Sequence, residues 1–278
     1  MTPADPSPAA IDEVVAAVQQ GAKYTSVDVA LIAALAIQEL AKGRRPREAV
    51  KEVKSRLHQS VAAYYAGRPD FSAWRDLLVQ ASSLEQLRTA CCAIMAMHHS
   101  TRERLPSLDT FYATVLGDLS GVETVLDLGC GLNPLALPWM GLPATAAYLA
   151  CDVDHAQMEF LGWWFDFQQQ PGRSFVWNLL DGAPQFPASV DIAFLLKIVP
   201  CLEQQDRRMA ERLLDNLAAR VLVVSFPAQS LGGRRKGMVD TYTRRMDELA
   251  AGRRWRIARF DFPSEVVFRV YTEPADGR

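Results

Sequence analysis

The sequence is poor in the residues that build metal centres and disulfide frameworks. Its 278 residues include five cysteines and four histidines, and no two cysteines have the C-x-x-C spacing of many metal sites. Scattered cysteines in odd number are typical of proteins whose thiols stay reduced. We therefore expect a cytoplasmic protein that carries no metal ion.

Strong net charge and long apolar runs are also missing. The formal net charge of −2 argues against a generally basic nucleic-acid binder and leaves only a local basic patch for such contacts. Asp28, Gln38 and Glu39 interrupt the apolar stretch at 27–40, so no run reaches the roughly 18 residues of a membrane span. The first ten residues lack the pattern of a secretion signal. We expect no membrane partner.

Helical periodicity dominates the first part of the chain, and no strand pattern appears before residue 121. Apolar residues recur at helical spacing in six segments. These predicted helices are Ile11–Gln20, Ser26–Ala41, Pro46–His58, Phe71–Gln80, Ser83–Met97 and Leu108–Leu119, with Ser26 as the N-cap of the second. We predict an all-helical N-terminal subdomain at residues 1–118.

Residues 119–278 alternate between strand and helix patterns instead, and the helices are predicted at about 155–169, 202–219 and 240–251. The predicted strands are Thr124–Leu128, Ala146–Cys151, Ser174–Trp177, Val190–Leu196, Val221–Phe226, Trp255–Phe262 and Glu265–Tyr271. Such alternation is typical of an α/β protein with a doubly wound parallel sheet, and the two adjacent last strands predict an antiparallel end. We expect about seven strands.

A glycine turn follows the first strand, in the sequence Asp127-Leu128-Gly129-Cys130-Gly131. Gly129 and Gly131 would let the backbone turn sharply and approach a ligand closely. The dinucleotide fingerprint G-x-G-x-x-G requires a third glycine where Pro134 stands, which argues against a binding site for a nicotinamide dinucleotide. An acidic D-L-G-C-G turn is the usual form in methyltransferases that use S-adenosylmethionine (SAM). The turn therefore predicts a Rossmann-like SAM methyltransferase sheet.

Further candidates stand where the next strands end, because ligands of open parallel sheets bind at the carboxyl ends of the strands. Asp152 could accept both ribose hydroxyls or cap a helix, and Asp154 is the second candidate for either role. Asn178 could bind the adenine amino group or serve only as a turn residue. Leu179 and Leu196 could sandwich the adenine ring or belong to the core.

Several longer stretches carry a family resemblance. They are H-H-S-T-R-E-R-L-P at 98–106, D-L-G-C-G-L-N-P-L-A at 127–136, P-W-M-G-L-P at 138–143, L-L-K at 195–197, P-C-L-E at 200–203, S-F-P at 225–227, S-L-G at 230–232 and K-G-M at 236–238. They resemble the aminoglycoside-resistance 16S rRNA methyltransferases, and within these the subgroup that methylates guanine N7 in the decoding site. The match runs from about Lys51 to Tyr271, and Asn178 departs from it where relatives often carry Asp.

The resemblance implies SAM as methyl donor, 16S rRNA in the assembled 30S subunit as substrate, and docking of the helical N-terminal subdomain (residues 1–118) on the rRNA. We expect a monomer. It implies that Arg104 holds the SAM carboxylate, with His99, Ser100 and Arg102 nearby and Tyr64 closing the pocket. The remaining implied cofactor residues are Gly129, Asp152, Asn178, Leu179, Leu196 and Gln205. A guanidinium fork independently suits a free carboxylate, so we expect one of Arg102 and Arg104 to bind SAM and the other to be structural.

Two basic patches could contact rRNA. The first has seven positive residues against Glu48 and Glu52, and a phosphate-binding face competes there with an ordinary solvated helix face. Its members are Lys42, Arg44, Arg45, Arg47, Lys51, Lys54 and Arg56. The second patch, which we expect to help place the target base, is Arg234, Arg235 and Lys236, among glycines after the fifth strand.

Methylation of guanine N7 needs no general base, because the in-plane lone pair carries no proton. The enzyme must mainly orient the base, which we expect to be flipped out of its helix. We predict that Lys197 contacts the target nucleotide; a surface lysine paired with Glu203 is the alternative.

Three functions remain open from the sequence. The first is the rRNA N7 methyltransferase, and the second is a small-molecule SAM methyltransferase with a helical lid. The third is a non-enzymatic ribosome-binding factor that kept the fold. Binding of SAM separates the third from the others, and salt-sensitive binding to 30S subunits separates the first from the second.

Overall fold

One seven-stranded mixed sheet forms the centre of the protein. The structure is a computed structural model that describes residues 6–60, 64–186, 188–228 and 237–272. The strands are β1 (Thr124–Leu128), β2 (Ala147–Asp152), β3 (Gly172–Val176), β4 (Val190–Leu196), β5 (Ala219–Pro227), β6 (Arg256–Asp261) and β7 (Glu265–Tyr271). Their order is β3-β2-β1-β4-β5-β7-β6. Strands β1 to β5 are parallel, and β7 runs antiparallel to both β5 and β6. The predicted α/β sheet with an antiparallel end is confirmed.

The strand order reverses between β1 and β4. From β1 the chain proceeds outward to β2 and β3, then returns to place β4 on the other side of β1, with Asp127 opposite Phe194. The loops after β1 and β4 diverge at this point and leave a crevice at the carboxyl ends of the strands. The glycine turn and Lys197 both follow strands at this crevice.

The first three helices build a small core of their own. They are α1 (Pro8–Gln19), α2 (Val29–Ala41) and α3 (Pro46–Ser60), and Val18, Ile32 and Leu57 are buried between them. Asp28 caps α2, accepting from the backbone N of Leu31 at 3.2 Å, so the predicted cap at Ser26 is wrong. Ser26 instead joins an antiparallel bridge to the segment after β2: its carbonyl accepts from His155 N at 2.8 Å.

The next four helices share their core with one face of the sheet. They are α4 (Phe71–Val79), α5 (Leu84–Met95), α6 (His99–Arg104) and α7 (Leu108–Leu116), and the sequence analysis missed α6. Phe111 and Tyr112 of α7 pack in one cluster with Val125 of β1 and Phe194 of β4. Because these helices pack on the sheet, a division of the chain at residue 118 stays a prediction.

The remaining helices flank the sheet. They are α8 (Leu137–Met140), α9 (His155–Phe167), α10 (Val199–Gln205), α11 (Met209–Asp215) and α12 (Met238–Ala250). Helix α9 packs in the same cluster as α4–α7, and α10–α12 pack on the opposite face. The prediction of a single helix at 202–219 is wrong. The helix is interrupted at Asp206, whose side chain accepts from Arg208 N at 2.9 Å, and α11 begins at Met209. Among the described residues no helix is long and apolar enough to cross a membrane.

Candidate active site

A two-part cavity lies in the crevice where the strand order reverses. Gly129, Asp152, Ile198 and Cys201 line both parts. The first part, which we call the charged half, also contacts Arg104 and Lys197. The second part, the apolar half, also contacts Leu179.

The glycine turn forms the floor of this cavity. Gly129 and Gly131 have φ values of +60° and +50°, in the left-handed region that side chains with a Cβ avoid. A Cβ at Gly129 would lie 2.7 Å from Ile198 Cδ1, and one at Gly131 would lie 2.8 Å from His98 Cε1. Both positions therefore need glycine for backbone conformation and for space.

Asp152 stands between the two halves at the end of β2. Its Oδ2 accepts from Gly131 N at 2.9 Å and its Oδ1 from Val153 N at 2.7 Å, while burial raises the pKa of the carboxyl group. Each oxygen keeps acceptor capacity beyond these bonds. Asp154 does not line the cavity: it caps α9 by accepting from Gln157 N at 2.9 Å, which is the capping role predicted as its alternative.

Apolar side chains from distant parts of the sequence form the apolar half. Leu31 and Leu35 of α2 face Trp177, Leu179 and Leu202 across it. Of these five side chains, only Leu179 was predicted from the sequence as a site residue, because nothing in the local sequence distinguishes the other four from ordinary core residues.

Two polar side chains border the apolar half. Asn178 is buried, and its Oδ1 accepts from Leu180 N at 3.0 Å, so it caps the short 3-10 turn Leu179–Asp181 while lining the cavity. Gln205 accepts from Arg56 Nε at 2.9 Å. This bond ties the cavity wall to helix α3.

Arg104 lies in the charged half and is almost wholly buried. Its Nε and Nη2 donate to the two oxygens of Glu265 at 2.8 and 3.0 Å, and its Nη1 donates to Asn133 Oδ1 at 2.7 Å. Arg102 does not line this cavity and donates from Nη2 to His99 Nδ1 at 2.9 Å. Of the two arginines, Arg104 is thus the one that can meet a ligand.

Lys197 follows β4 in the left-handed conformation, with φ of +60°. It is 7% exposed, and its Nζ lies 2.8 Å from Glu103 Oε2 and 3.9 Å from Glu265 Oε1. The alternative of a surface lysine paired with Glu203 is wrong, since Glu203 pairs with Arg245 at 2.7 Å. Lys197 lines the charged half, as do Ser100 and Leu196.

His98, which the sequence analysis missed, takes the place expected for His99. His98 is buried against Tyr64, with ring centroids 5.6 Å apart, and burial lowers its pKa to about 3. Its ring is therefore neutral at physiological pH. His99 lies outside the cavity lining, 3.5 Å from Glu103. The signal that the sequence offers is the spacing of the glycines. It does not identify His98, because only the fold shows that His98 covers Gly131.

Two further titratable side chains of the charged half, Tyr64 and Cys201, are also held in their neutral forms. Tyr64 and Cys201 share a hydrogen bond of 2.7 Å between Oη and Sγ. Burial raises the pKa of both groups above their ordinary values. Burial likewise raises the pKa of Asp127, behind the glycine turn, to about 6. A thiol with a raised pKa is a poor nucleophile at neutral pH.

The first basic patch is only partly free. Glu39, which is 2% exposed, lies 2.7 Å from Lys42 Nζ, 2.5 Å from Arg44 Nη1 and 3.0 Å from Arg56 Nη1. Glu39 precedes the segment 42–56, so the seven positive and two negative charges counted in that segment do not include it. Arg45, Arg47 and Lys51 are exposed, and Lys54 is half-buried.

Two further expectations concern residues or ions that the site could contain. Arg234, Arg235 and Lys236 lie outside the described residues. Within the described ranges, no group of three or more His, Cys, Asp or Glu side chains is placed to hold a metal ion.

Comparisons with known proteins agree with this architecture. The family described as ribosomal RNA methyltransferase (FmrO) matches residues 20–270. A 16S rRNA (guanine(1405)-N(7))-methyltransferase of Frankia casuarinae is 39% identical, covering 94% of this chain and 93% of that protein. Its namesake in Micromonospora rosea is 35% identical, covering 94% and 96%. The crystal structure of the 16S rRNA methyltransferase RmtF in complex with S-adenosyl-L-homocysteine superposes with a TM-score of 0.82 at 28% identity, covering 96% of this chain and all of that one. This chain therefore belongs to the ribosomal RNA methyltransferase (FmrO) family.

Proposed function

We propose that this protein transfers the methyl group of SAM to N7 of a guanine in the decoding site of 16S rRNA, within the 30S subunit. We further propose that it acts as a monomer in the cytoplasm and that the modification confers aminoglycoside resistance. The cavity over the glycine turn, with Asp152 between a charged and an apolar half, is the observation that carries this proposal. Relatives named for this reaction support the choice of base.

The cavity fits SAM in shape and in donor chemistry. The apolar half, between Leu179 and Leu35, matches an adenine ring, and Asn178 borders it. Asp152 lies at the junction, where its oxygens can accept the two ribose hydroxyls. The charged half offers Arg104 to an amino-acid carboxylate.

The protein's own groups would orient the reactants without moving a proton. SAM, when bound, supplies an activated methyl group, and guanine N7 offers a lone pair that carries no proton. His98 is a weak base because its pKa is about 3, and Cys201 and Tyr64 keep their protons because burial raises their pKa, so none is poised as a base at neutral pH. Such a site accelerates methyl transfer chiefly by holding donor and acceptor in line. Lys197, whose Nζ lies at the same wall, is our candidate for contacting the target nucleotide.

The exposed cations at the start of α3 are the proposed rRNA contacts. Arg47 and Lys51 face solvent and can pair with phosphates without burying charge. Arg45, just before the helix, is also exposed but lies 2.8 Å from Glu48. Lys42 and Arg44 are held by Glu39, so they would contribute less. This arrangement favours rRNA over the alternative function, a small-molecule methyltransferase whose helical lid would need an apolar surface instead.

A methyl-transfer assay on purified 30S subunits tests the proposal. Labelled SAM should transfer its methyl group to 16S rRNA, and chain cleavage at N7-methylguanine should map one modified base. Asp152→Asn should reduce transfer at limiting SAM while the protein stays folded. If the wild-type protein binds SAM but labels no rRNA, the small-molecule alternative takes its place. If it binds no SAM, the third function, a ribosome-binding factor, does so.

A further inference from the structure

Four ionised side chains form a cluster at the wall of the charged half of the cavity. They pair in the row Glu103, Lys197, Glu265 and Arg104, so the formal charges cancel. The side chains of Arg104, Lys197 and Glu265 are 2%, 6% and 0% exposed. Burying four charges costs folding free energy unless every charge is paired. Charges that only keep a protein soluble lie on its surface, so we expect this cluster to have another role.

Glu265 connects the two cations. It is the first residue of β7, directly after the bend that joins β6 to β7, and it pairs in the sheet with Pro227 of β5. One carboxylate binds Arg104 with both oxygens and lies 3.9 Å from Lys197 Nζ. Burial opposes ionisation of Glu265, but Arg104 and Lys197 together lower its pKa, so it is charged at neutral pH.

The contacts of Arg104 fix the plane of its guanidinium group. Glu265 binds the edge formed by Nε and Nη2, and Asn133 binds Nη1. Asn133 is itself held, because its Nδ2 donates to Asp127 Oδ2 at 2.9 Å and its Oδ1 accepts from Tyr112 Oη at 2.6 Å. A planar fork bound along one edge and at one further nitrogen cannot rotate about its own axis. Its orientation towards the cavity is therefore set by Glu265.

We infer that Glu265 is a positioning residue for the amino-acid end of the cofactor. It orients Arg104, so that the guanidinium group meets the α-carboxylate of SAM in a fixed geometry, and with Glu103 it restrains Lys197 at the same wall of the cavity. The inference rests on the proposed function, since it takes SAM as the ligand. A purely structural ion pair would stabilise the fold without distinguishing one end of the ligand from the other.

Calorimetry with two neutral-sulfur ligands tests this distinction on the full chain. S-adenosylhomocysteine carries the amino-acid end, and 5′-methylthioadenosine has the same nucleoside without it. In Glu265→Gln, affinity for S-adenosylhomocysteine should fall at least tenfold, while affinity for methylthioadenosine should stay within twofold of wild type. Glu203→Gln is the matched control, because Glu203 also pairs with an arginine, Arg245, but does not line the cavity. It should change neither affinity.

Equal losses for both ligands, or no loss for either, would overturn the inference and leave Glu265 as a structural residue. If Glu265→Gln unfolds, which a thermal melt would show, Glu265→Asp replaces it: this variant keeps the charge with a shorter reach and should show the same selective loss, at about threefold or more. Failure of the wild-type protein to bind either ligand would instead reject the proposed function, and the inference with it.

Discussion

Gly131→Ala should be far more harmful than alanine at another glycine with the same backbone conformation. Gly131 and Gly141 have φ values of +50° and +63°, so alanine is strained at both. At Gly131 the new Cβ would also lie 2.8 Å from His98 Cε1, whereas at Gly141 it would meet nothing within 4 Å. The two variants therefore share the backbone term and differ in the steric term.

The expected free energies follow from these two terms. A left-handed conformation costs an L-residue about 1–2 kcal/mol, part of which is offset because alanine also restricts the unfolded chain. Gly141→Ala should then lose about 1 kcal/mol. Displacing the buried His98 ring, which is packed against Tyr64 and Tyr65, adds an overpacking cost of about 1–3 kcal/mol. Gly131→Ala should lose about 2–4 kcal/mol.

Denaturant unfolding of the two single variants, and of Gly131→Ala combined with His98→Ala, provides the assay. Removing the ring should reduce the cost of Gly131→Ala to that of Gly141→Ala, a coupling of about 1–3 kcal/mol in the double-mutant cycle. Equal losses at Gly131 and Gly141 in the wild-type background, unchanged when His98 is removed, would refute the packing of His98 over the turn.

Three further predictions address charge. Burial raises the pKa of Asp127 in the folded protein to about 6, so folding favours its protonated form. The resulting stabilisation is complete below the unfolded pKa of 3.8 and is lost as pH rises through 6. Asp127→Asn should therefore remove about 3 kcal/mol of the pH dependence of the unfolding free energy between pH 4 and 7, measured by denaturant titration. Asp152→Asn should weaken S-adenosylhomocysteine binding by about 1–3 kcal/mol in calorimetry, and unchanged affinity would remove Asp152 from the site. Arg47→Glu with Lys51→Glu should reduce the salt dependence of 30S binding, with the cofactor affinity intact; a wild-type slope would place the docking surface elsewhere.

The sheet was predictable because its signals are local. Strands β1, β4 and β7 have the predicted bounds, since short, mainly apolar runs between turn residues leave few alternatives. The errors occur where tertiary contacts decide. Ser26 has the composition of a helix cap, but its backbone pairs with the segment after β2, and Asp28 takes over the cap.

The charged half of the site shows a second limit. The sequence places Arg102 and Arg104 two residues apart with equal chemistry, and nothing local tells which one is buried. The helical turn of α6 directs Arg104 inward to Glu265, 161 residues later in the chain, and leaves Arg102 outside. A charge whose partner is that distant in sequence can be assigned only from the fold.

The N-terminal helices form part of the site through its apolar half. Leu31 and Leu35 reach the cavity because the bridge between Val27 and Asp154 holds the start of α2 beside β2. Arg56 of α3, the same helix that carries the exposed cations, holds Gln205 at the same wall. Any ligand in the apolar half thus contacts the helical unit directly. By linkage, a ligand that favours one placement of α2 and α3 must bind more tightly when rRNA holds that placement, and the reverse must hold for rRNA.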